Sequence, residues 1–227
     1  MFAEFSQTDT IIVGVILIVF TIFSFQKKFL SGKGILLADI LGLLIFFLGG
    51  FYHFIALAVF YVVAEAATNI GRTERGKQEQ RNVSNVIGNA GPALMALILG
   101  QGTAFFGAVS AALADTVSSE VGMLSNKKPR LITSLEKVEK GTDGGITVLG
   151  LATGLASAVL IGIVYYFGVN QSFFISGIII LAGFVGSLVD SFLGAVFERK
   201  GKLNNMQVNF LASTSGAIIV FVATTVI

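Results

Sequence analysis

The chain has no cysteine and no tryptophan, one histidine and two prolines, and Asp, Glu, Lys and Arg make up only 12% of its 227 residues. Without thiols there is neither a disulfide framework nor covalent cysteine chemistry. The sole histidine, His53, lies at an aromatic helix end away from the acids, so there is no Ser-His-Asp set, and no zinc-ligand cluster or Rossmann fingerprint occurs either. The charged fraction is about half of the roughly 25% found in an average soluble domain. Set beside 54% hydrophobic residues, it excludes an ordinary soluble globule and defines an integral membrane protein with no soluble domain left over.

Apolar runs that could span a roughly 30 Å hydrocarbon core as helices are read at about 10–25, 34–50, 52–70, 83–99, 103–122, 146–167, 172–196 and 208–227. The expected fold is therefore all-α, one polytopic domain over residues 1–227 with about eight transmembrane helices, the first two short enough to be tilted or re-entrant. All 15 Lys and Arg fall in four places: Lys27 to Lys33, Arg72 to Arg81, Lys127 to Lys140, and Arg199 to Lys202. These are alternate connections, and the intervening ones carry no base. The positive-inside rule then places the four basic loops in the cytoplasm and both termini outside. Phe51, Tyr52, Tyr165, Tyr166, Phe167, Phe173 and Phe174 gather at the outer ends as an aromatic belt, with His53 among them as interfacial packing.

Against this background the acids stand out. At 1.5 Å per residue, Asp115 lies about 13 residues, roughly 20 Å, below the outer end of its helix. Glu120, Asp39, Glu65, Asp190 and Glu198 also fall in the cytoplasmic halves or ends of their helices. An ionisable group in hydrocarbon costs at least a few kcal/mol unless it is paired, hydrated or metal-bound, so it marks a functional candidate. Acids gathered beneath bases suit an anionic ligand held through a divalent cation, Mg²⁺ being the usual partner of carboxylate and phosphate oxygens. AALADTVSSEV (111–121) and GSLVDSFLGAV (186–196) echo one another around Asp115 and Asp190. Each has a small residue four positions before and after the acid and a hydroxyl one after. Positions i and i+4 share a helix face, so Ser119 and Gly194 leave room beside each carboxylate for an ion, a water or another helix. Small-residue packing explains the glycines and alanines equally well, though not the acids.

Two polar stripes lie at the same depth, Asn82, Asn85 and Asn89 on the fourth helix and Asn205, Asn209 and Ser213 on the eighth. They read either as interhelical hydrogen bonding or as the lining of a cavity; Gly91 and Pro92 suggest a break in the fourth helix. In the third basic loop, Lys127, Lys128 and Arg130 precede a GTDGG turn that opens the sixth helix. Free N–H groups at a helix start bind anions, which makes Thr142, Gly144 and Gly145 phosphate-binding candidates; a plain Thr or Asp cap accounts for the same residues. GRTERGKQ (71–78) has Gly71, Gly76 and Lys77 at P-loop spacing. However, Gln78 stands where the Mg²⁺-binding Ser or Thr belongs, and a membrane helix precedes it in place of a strand, which excludes the motif. Chemistry without a general base fits one reaction class well. A phosphate monoester, with a second pKa of about 6, is already an anionic nucleophile, so phosphoryl transfer onto it reduces to positioning and charge neutralisation.

ADTVSSEVG, KPRLIT, GTDGGIT, GSLVDSFLGA and VNFLAS, in that order, resemble the integral-membrane family that contains the phytyl-phosphate kinase of plant tocopherol synthesis. The similarity covers roughly residues 65–215. Val117, where an aromatic often follows DT, and Asp143, where Ser is commoner, depart from the family's pattern. The resemblance implies a CTP-dependent, Mg²⁺-dependent kinase that makes a prenyl diphosphate of phytyl or geranylgeranyl type. The expected partners are CTP or another NTP, a prenyl monophosphate and membrane lipid, with no nucleic acid and with homodimerisation open. Asp115, Glu120 and Asp190 are expected at the metal and the reacting phosphates. Lys128, Arg130, Thr142, Gly144, Gly145 and Arg81 are expected to bind phosphate, and Glu65, Asn82, Asn85, Asn89 and Asn209 to hold the head group. The alternatives are a membrane cytidylyltransferase acting on a prenyl or lipid phosphate, and an anion transporter, which an internal echo around ionisable groups also fits. The expected location is the cell membrane, multi-pass, with the site facing the cytoplasm.

Overall fold

Helices form where the apolar runs lie, and their ends are set by local capping. The computed structural model describes residues 6–75 and 81–226, and the side chains of all these except 72–75. Eight α-helices follow in order: α1 (Gln7–Lys27), α2 (Gly32–Gly49), α3 (Phe51–Arg75), α4 (Val83–Ile98), α5 (Gly102–Gly122), α6 (Val148–Gly168), α7 (Phe173–Val196) and α8 (Asn205–Thr225). Side chains of Ser6, Ser31, Asn82, Thr147, Ser172 and Asn204 accept hydrogen bonds from first-turn N–H groups. Each such cap stabilises its helix by about 1 kcal/mol. The first two helices are not the short runs expected, because Ser6 and Ser31 start them early and give 21 and 18 residues. Nor does Pro92 break α4, which continues through it to Ile98. Of the near-P-loop stretch, residues 71–75 form the end of α3, while residues 76–78 and the side chains of Arg72 and Arg75 lie outside the described residues.

Six helices, α1, α2, α3, α6, α7 and α8, are long and apolar enough to cross a membrane, and α4 is a shorter apolar helix of 16 residues. The remaining helix, α5, is long enough at 21 residues but is rich in Ala, Gly, Ser and Thr and carries two acids. Packing explains this composition. α5 runs through the middle of the bundle, touching α3, α4, α6, α7 and α8, so most of its side chains never meet lipid. Between membrane helices there is little hydrophobic driving force, and close contact through small residues takes its place. A Cβ at Gly150 of α6 would sit 2.6 Å from the carbonyl oxygen of Ser118, and one at Gly107 of α5 would meet the backbone of Gly216 of α8. α1 is the opposite case: it packs mainly on α2 and α3, and Ile11, Val15, Ile18, Val19 and Ile22 are exposed along its length.

Residues 127–147 also hold structure that the sequence did not announce. Arg130–Leu131 (β1) and Gly145–Ile146 (β2) pair antiparallel, Arg130 opposite Ile146 and Leu131 opposite Gly145. The segment between α5 and α6 is thus a folded hairpin.

Candidate functional site

The basic ends of α4, α5, α7 and α8, together with the hairpin, enclose a cavity of about 920 Å³. Of the residues singled out from the sequence, Asp115, Glu120, Asp190, Arg81, Asn82, Asn85, Asn89, Asn209, Thr142, Gly144 and Gly145 line it. Asp115 on α5 and Asp190 on α7 meet across the helix boundary, their carboxyl groups within hydrogen-bonding range of each other. Asp190 Oδ2 is buried without a hydrogen-bond partner. Glu198, in the turn after α7, lies within electrostatic range of both aspartates.

Glu120 stands apart from this pair. Five residues after Asp115 it is about 140° further round the helix at 100° per residue, and it turns toward α3. Its Oε2 lies 2.6 Å from the position that a Cβ on Gly71 would take. Among the described residues no three acidic or histidine side chains converge closely enough to hold one metal ion. The expected three-carboxylate centre is therefore a facing pair with Glu120 to one side. The space expected beside Asp190 is also filled, because a Cβ at Gly194 would meet the Gly144 nitrogen at 3.1 Å and Asp143 Cβ at 3.5 Å.

The GTDGG turn does not open a helix. The cap of α6 is Thr147, whose hydroxyl accepts from the Gly150 N–H at 3.0 Å, and the turn runs into β2 before that cap is reached. Inside the turn the Thr142 N–H and hydroxyl both donate to the Glu139 carbonyl, and the Gly145 N–H donates to the Thr142 carbonyl. These groups hold the turn's shape and so are not an open anion nest. Gly144 has φ +77°, the left-handed region that favours glycine, and a Cβ there would lie 2.6 Å from both the Ala195 nitrogen and the Ser191 carbonyl oxygen. The turn is thereby pressed onto α7 next to Asp190.

Two expected phosphate ligands are elsewhere. Lys128 is paired with Glu139 on the exposed side of the hairpin, and the Arg130 guanidinium donates to the Leu135 carbonyl at 2.7 Å. Neither lines the cavity, because the hairpin uses both for its own closure. Glu65 is buried in α3 and is not among the residues that line the cavity. The bases that do reach the cavity are Arg81 and Lys140. Sequence reasoning passed over Lys140, which sits directly before the GTDGG turn, and Asp143, which was noted only as a departure from a pattern.

The asparagines keep their place with an altered role. Asn82 Oδ1 accepts from the Ser84 and Asn85 N–H groups, and Asn85 Oδ1 accepts from the Asn82 N–H, forming a capping box. With both oxygens committed, what each presents to a ligand is its NH₂ group, a donor suited to an anion. Asn209 donates to Asn205 at 3.5 Å, and Gly88 lets α8 approach α4 so closely that a Cβ there would lie 3.0 Å from the Met206 carbonyl oxygen. This contact brings the two stripes to face each other.

Among the described residues the lining carries five carboxylates, Asp115, Glu120, Asp143, Asp190 and Glu198, and two bases, Arg81 and Lys140. Mg²⁺ is bound mainly through one or two carboxylates plus phosphate oxygens and waters, and the Asp115–Asp190 pair with its unsatisfied Oδ2 fits that donor set.

Fold and cavity define a polytopic α-helical membrane protein with a polar, acidic chamber at one membrane edge. The chain belongs to the integral membrane protein family DUF92, whose model matches residues 15–217. It is 39% identical over 206 residues to the uncharacterized membrane protein MJ0933 of Methanocaldococcus jannaschii, covering 86% of this chain and 85% of that one. Protein PGR of Arabidopsis thaliana is 30% identical over 217 residues (78% and 75% covered). Protein VTE6, chloroplastic, of the same plant is 29% identical over 212 residues (84% and 64% covered). No solved structure matches the chain.

Proposed function

We propose that the chain is a CTP-dependent prenyl-phosphate kinase that makes a prenyl diphosphate at the cytoplasmic face of the cell membrane. The observation that carries this reading is the polar chamber at the membrane edge, lined by five carboxylates of which Asp115 and Asp190 face each other. The resemblance to the family of the phytyl-phosphate kinase supplies the nucleotide and the prenyl chain. The acceptor's phosphate oxygen, already anionic, attacks the γ-phosphorus of the nucleotide. The bond from that phosphorus to the β,γ-bridging oxygen breaks, and the nucleoside diphosphate leaves. No side chain has to remove a proton, which suits a chamber without histidine. Asp115 and Asp190 would hold Mg²⁺, which when bound neutralises charge on the nucleotide's terminal phosphates. Lys140 and the hairpin close over the nucleotide, while the NH₂ groups of Asn82, Asn85 and Asn209 orient the acceptor's phosphate.

The test is purified protein in detergent with geranylgeranyl monophosphate, Mg²⁺ and each of the four NTPs in turn. Geranylgeranyl diphosphate together with CDP is the expected outcome. Release of inorganic diphosphate with a cytidylylated lipid would replace the kinase by a cytidylyltransferase. No turnover, with nucleotide- or phosphate-driven flux in sealed vesicles, would replace both by a transporter.

A further inference from the structure

A second, apolar cleft of about 330 Å³ lies between α1, α2, α3 and α4. Its walls include Val19 and Phe23 of α1, Ala38 of α2, and Ala58, Phe60 and Tyr61 of α3. Arg81, Asn85 and Asn89 line this cleft and also line the acidic cavity. The two spaces therefore meet at one cation and two carboxamides. Residues 15–23 of α1 contribute to the wall, a length of about 12 Å at 1.5 Å per residue. Val15, Val19, Phe23 and Val62 are exposed, so the cleft is open sideways, on the faces of α1 and α3 that meet lipid.

Arg81 is held at this junction by its own backbone and side chain. Its N–H donates to the Phe29 carbonyl, its carbonyl accepts from the Ser31 N–H, and its guanidinium donates to Thr68 Oγ1 at 2.7 Å. One hydrogen bond to a hydroxyl uses a fraction of the five donors that a guanidinium carries. Ser24 and Tyr61 bond each other at 2.6 Å, satisfying the hydroxyls closest to the apolar wall.

We infer that this cleft is the tail site for a single-chain lipid monophosphate entering sideways from the bilayer, its head group taken by Arg81, Asn85 and Asn89. The inference rests on the acceptor proposed above and adds where that acceptor binds and how it enters. Charge complementarity selects the occupant: an apolar slot ending at a fixed cation matches one hydrocarbon chain ending in an anion. A neutral lipid leaves Arg81 unused, and a soluble phosphate leaves the slot unused. Because the cleft is open at the side, a chain longer than about 12 Å continues into the bilayer, so the site discriminates against short tails and sets no upper limit on long ones.

The experiment uses the full chain in nanodiscs without nucleotide, labelled with a geranylgeranyl monophosphate analogue carrying a diazirine near the middle of its tail, with adducts mapped by peptide mass spectrometry. Adducts are expected within 15–23 and 54–62. Unlabelled geranylgeranyl monophosphate should compete roughly tenfold or more better than geranylgeraniol, and inorganic phosphate should not compete. Arg81→Ala should abolish the difference between monophosphate and alcohol. Since Arg81 also ties down backbone, Ala58→Phe serves as an independent variant that fills the cleft; it should cut labelling roughly tenfold while Ile218→Phe on the lipid face of α8 leaves it unchanged. Adducts spread over α6 to α8 in proportion to exposure, or labelling indifferent to Ala58→Phe, would overturn the inference. Labelling in the cleft without phosphoryl transfer from any nucleotide would overturn the kinase and keep the lipid site; turnover with labelling elsewhere would do the reverse.

Discussion

Replacing one member of the aspartate pair should move stability and activity in opposite directions. In the ligand-free protein Asp115 and Asp190 face each other, and Asp190 Oδ2 is buried without a partner. Asp115→Asn replaces one of the two facing carboxyl groups by a carboxamide, whose NH₂ group can donate to the Asp190 carboxylate. A hydrogen bond to a charged group contributes about 1.5–3 kcal/mol, and a chain of this size gains about 2–4 °C in Tm per kcal/mol. The ligand-free variant should therefore melt roughly 3–12 °C higher than the parent. Ligand linkage should run the other way. Mg²⁺ and CTP at a hundred times their joint Kd would stabilise the parent by about 2.7 kcal/mol, roughly 5–10 °C, and Asp115→Asn should lose most of that shift together with at least about a hundredfold in kcat. Melting in detergent with and without Mg²⁺ and CTP, run beside the kinase assay, measures all three quantities. A variant that melts lower without ligand, or that keeps the ligand shift, would show that Asp115 is a packing residue and refute the reasoning.

Gly144→Ala must adopt a left-handed backbone costing about 1–2 kcal/mol and place a Cβ against the Ser191 carbonyl and Ala195 nitrogen. The turn should lift from α7 and kcat/KM for nucleotide should fall more than about tenfold, with helix content by circular dichroism unchanged; retained kcat/KM would detach the hairpin from the site. Lys140→Ala should raise the nucleotide KM roughly fivefold, the equivalent of about 1 kcal/mol, whereas Arg130→Ala should leave it within about twofold, since that guanidinium is spent on Leu135. The reverse order in steady-state kinetics would put the phosphates on the outer side of the hairpin.

The helices were legible because the bilayer imposes a long apolar run on each, and the clustering of bases in alternate connections showed which ends lie together. Asp115, Asp190 and the two asparagine stripes were legible for the same reason, as polar exceptions inside such runs. What did not show was the use to which neighbouring residues are put by contacts distant in sequence. Lys128 and Arg130 look like phosphate ligands until the hairpin folds and claims them. Gly194 looks like space beside a carboxylate until Gly144 occupies it. Glu120 and Asp115 look like one cluster until helical phase separates them and Gly71 of α3 admits the Glu120 carboxyl. Lys140 has no distinguishing pattern at all; only the fold of the turn that follows brings it to the cavity wall. The junction of the two cavities at Arg81 is likewise invisible locally, since it depends on the Phe29 to Ser31 segment gripping that residue's backbone.

The placement of chemistry within the bundle follows from which helices are wrapped. A carboxylate facing lipid costs at least about 2.5–3.5 kcal/mol, so an acid pair can be kept deep only where other helices exclude lipid. α5, contacted by five neighbours, offers that shelter, which explains why a helix too polar to qualify as an apolar span runs through the middle of a membrane protein. α7 presents Asp190 toward α5 while Phe192, two residues on, is exposed. The acid on a peripheral helix, Asp39 of α2, instead accepts a hydrogen bond from Thr21 of α1 at 2.8 Å. α1 itself is covered on one side only and stays apolar, so it can wall a slot that lipid enters without any polar group crossing hydrocarbon. An amphiphile then needs no pore to reach the chamber: its tail remains in contact with apolar surface throughout, and its phosphate meets Arg81 at the membrane edge, where the acidic chamber begins.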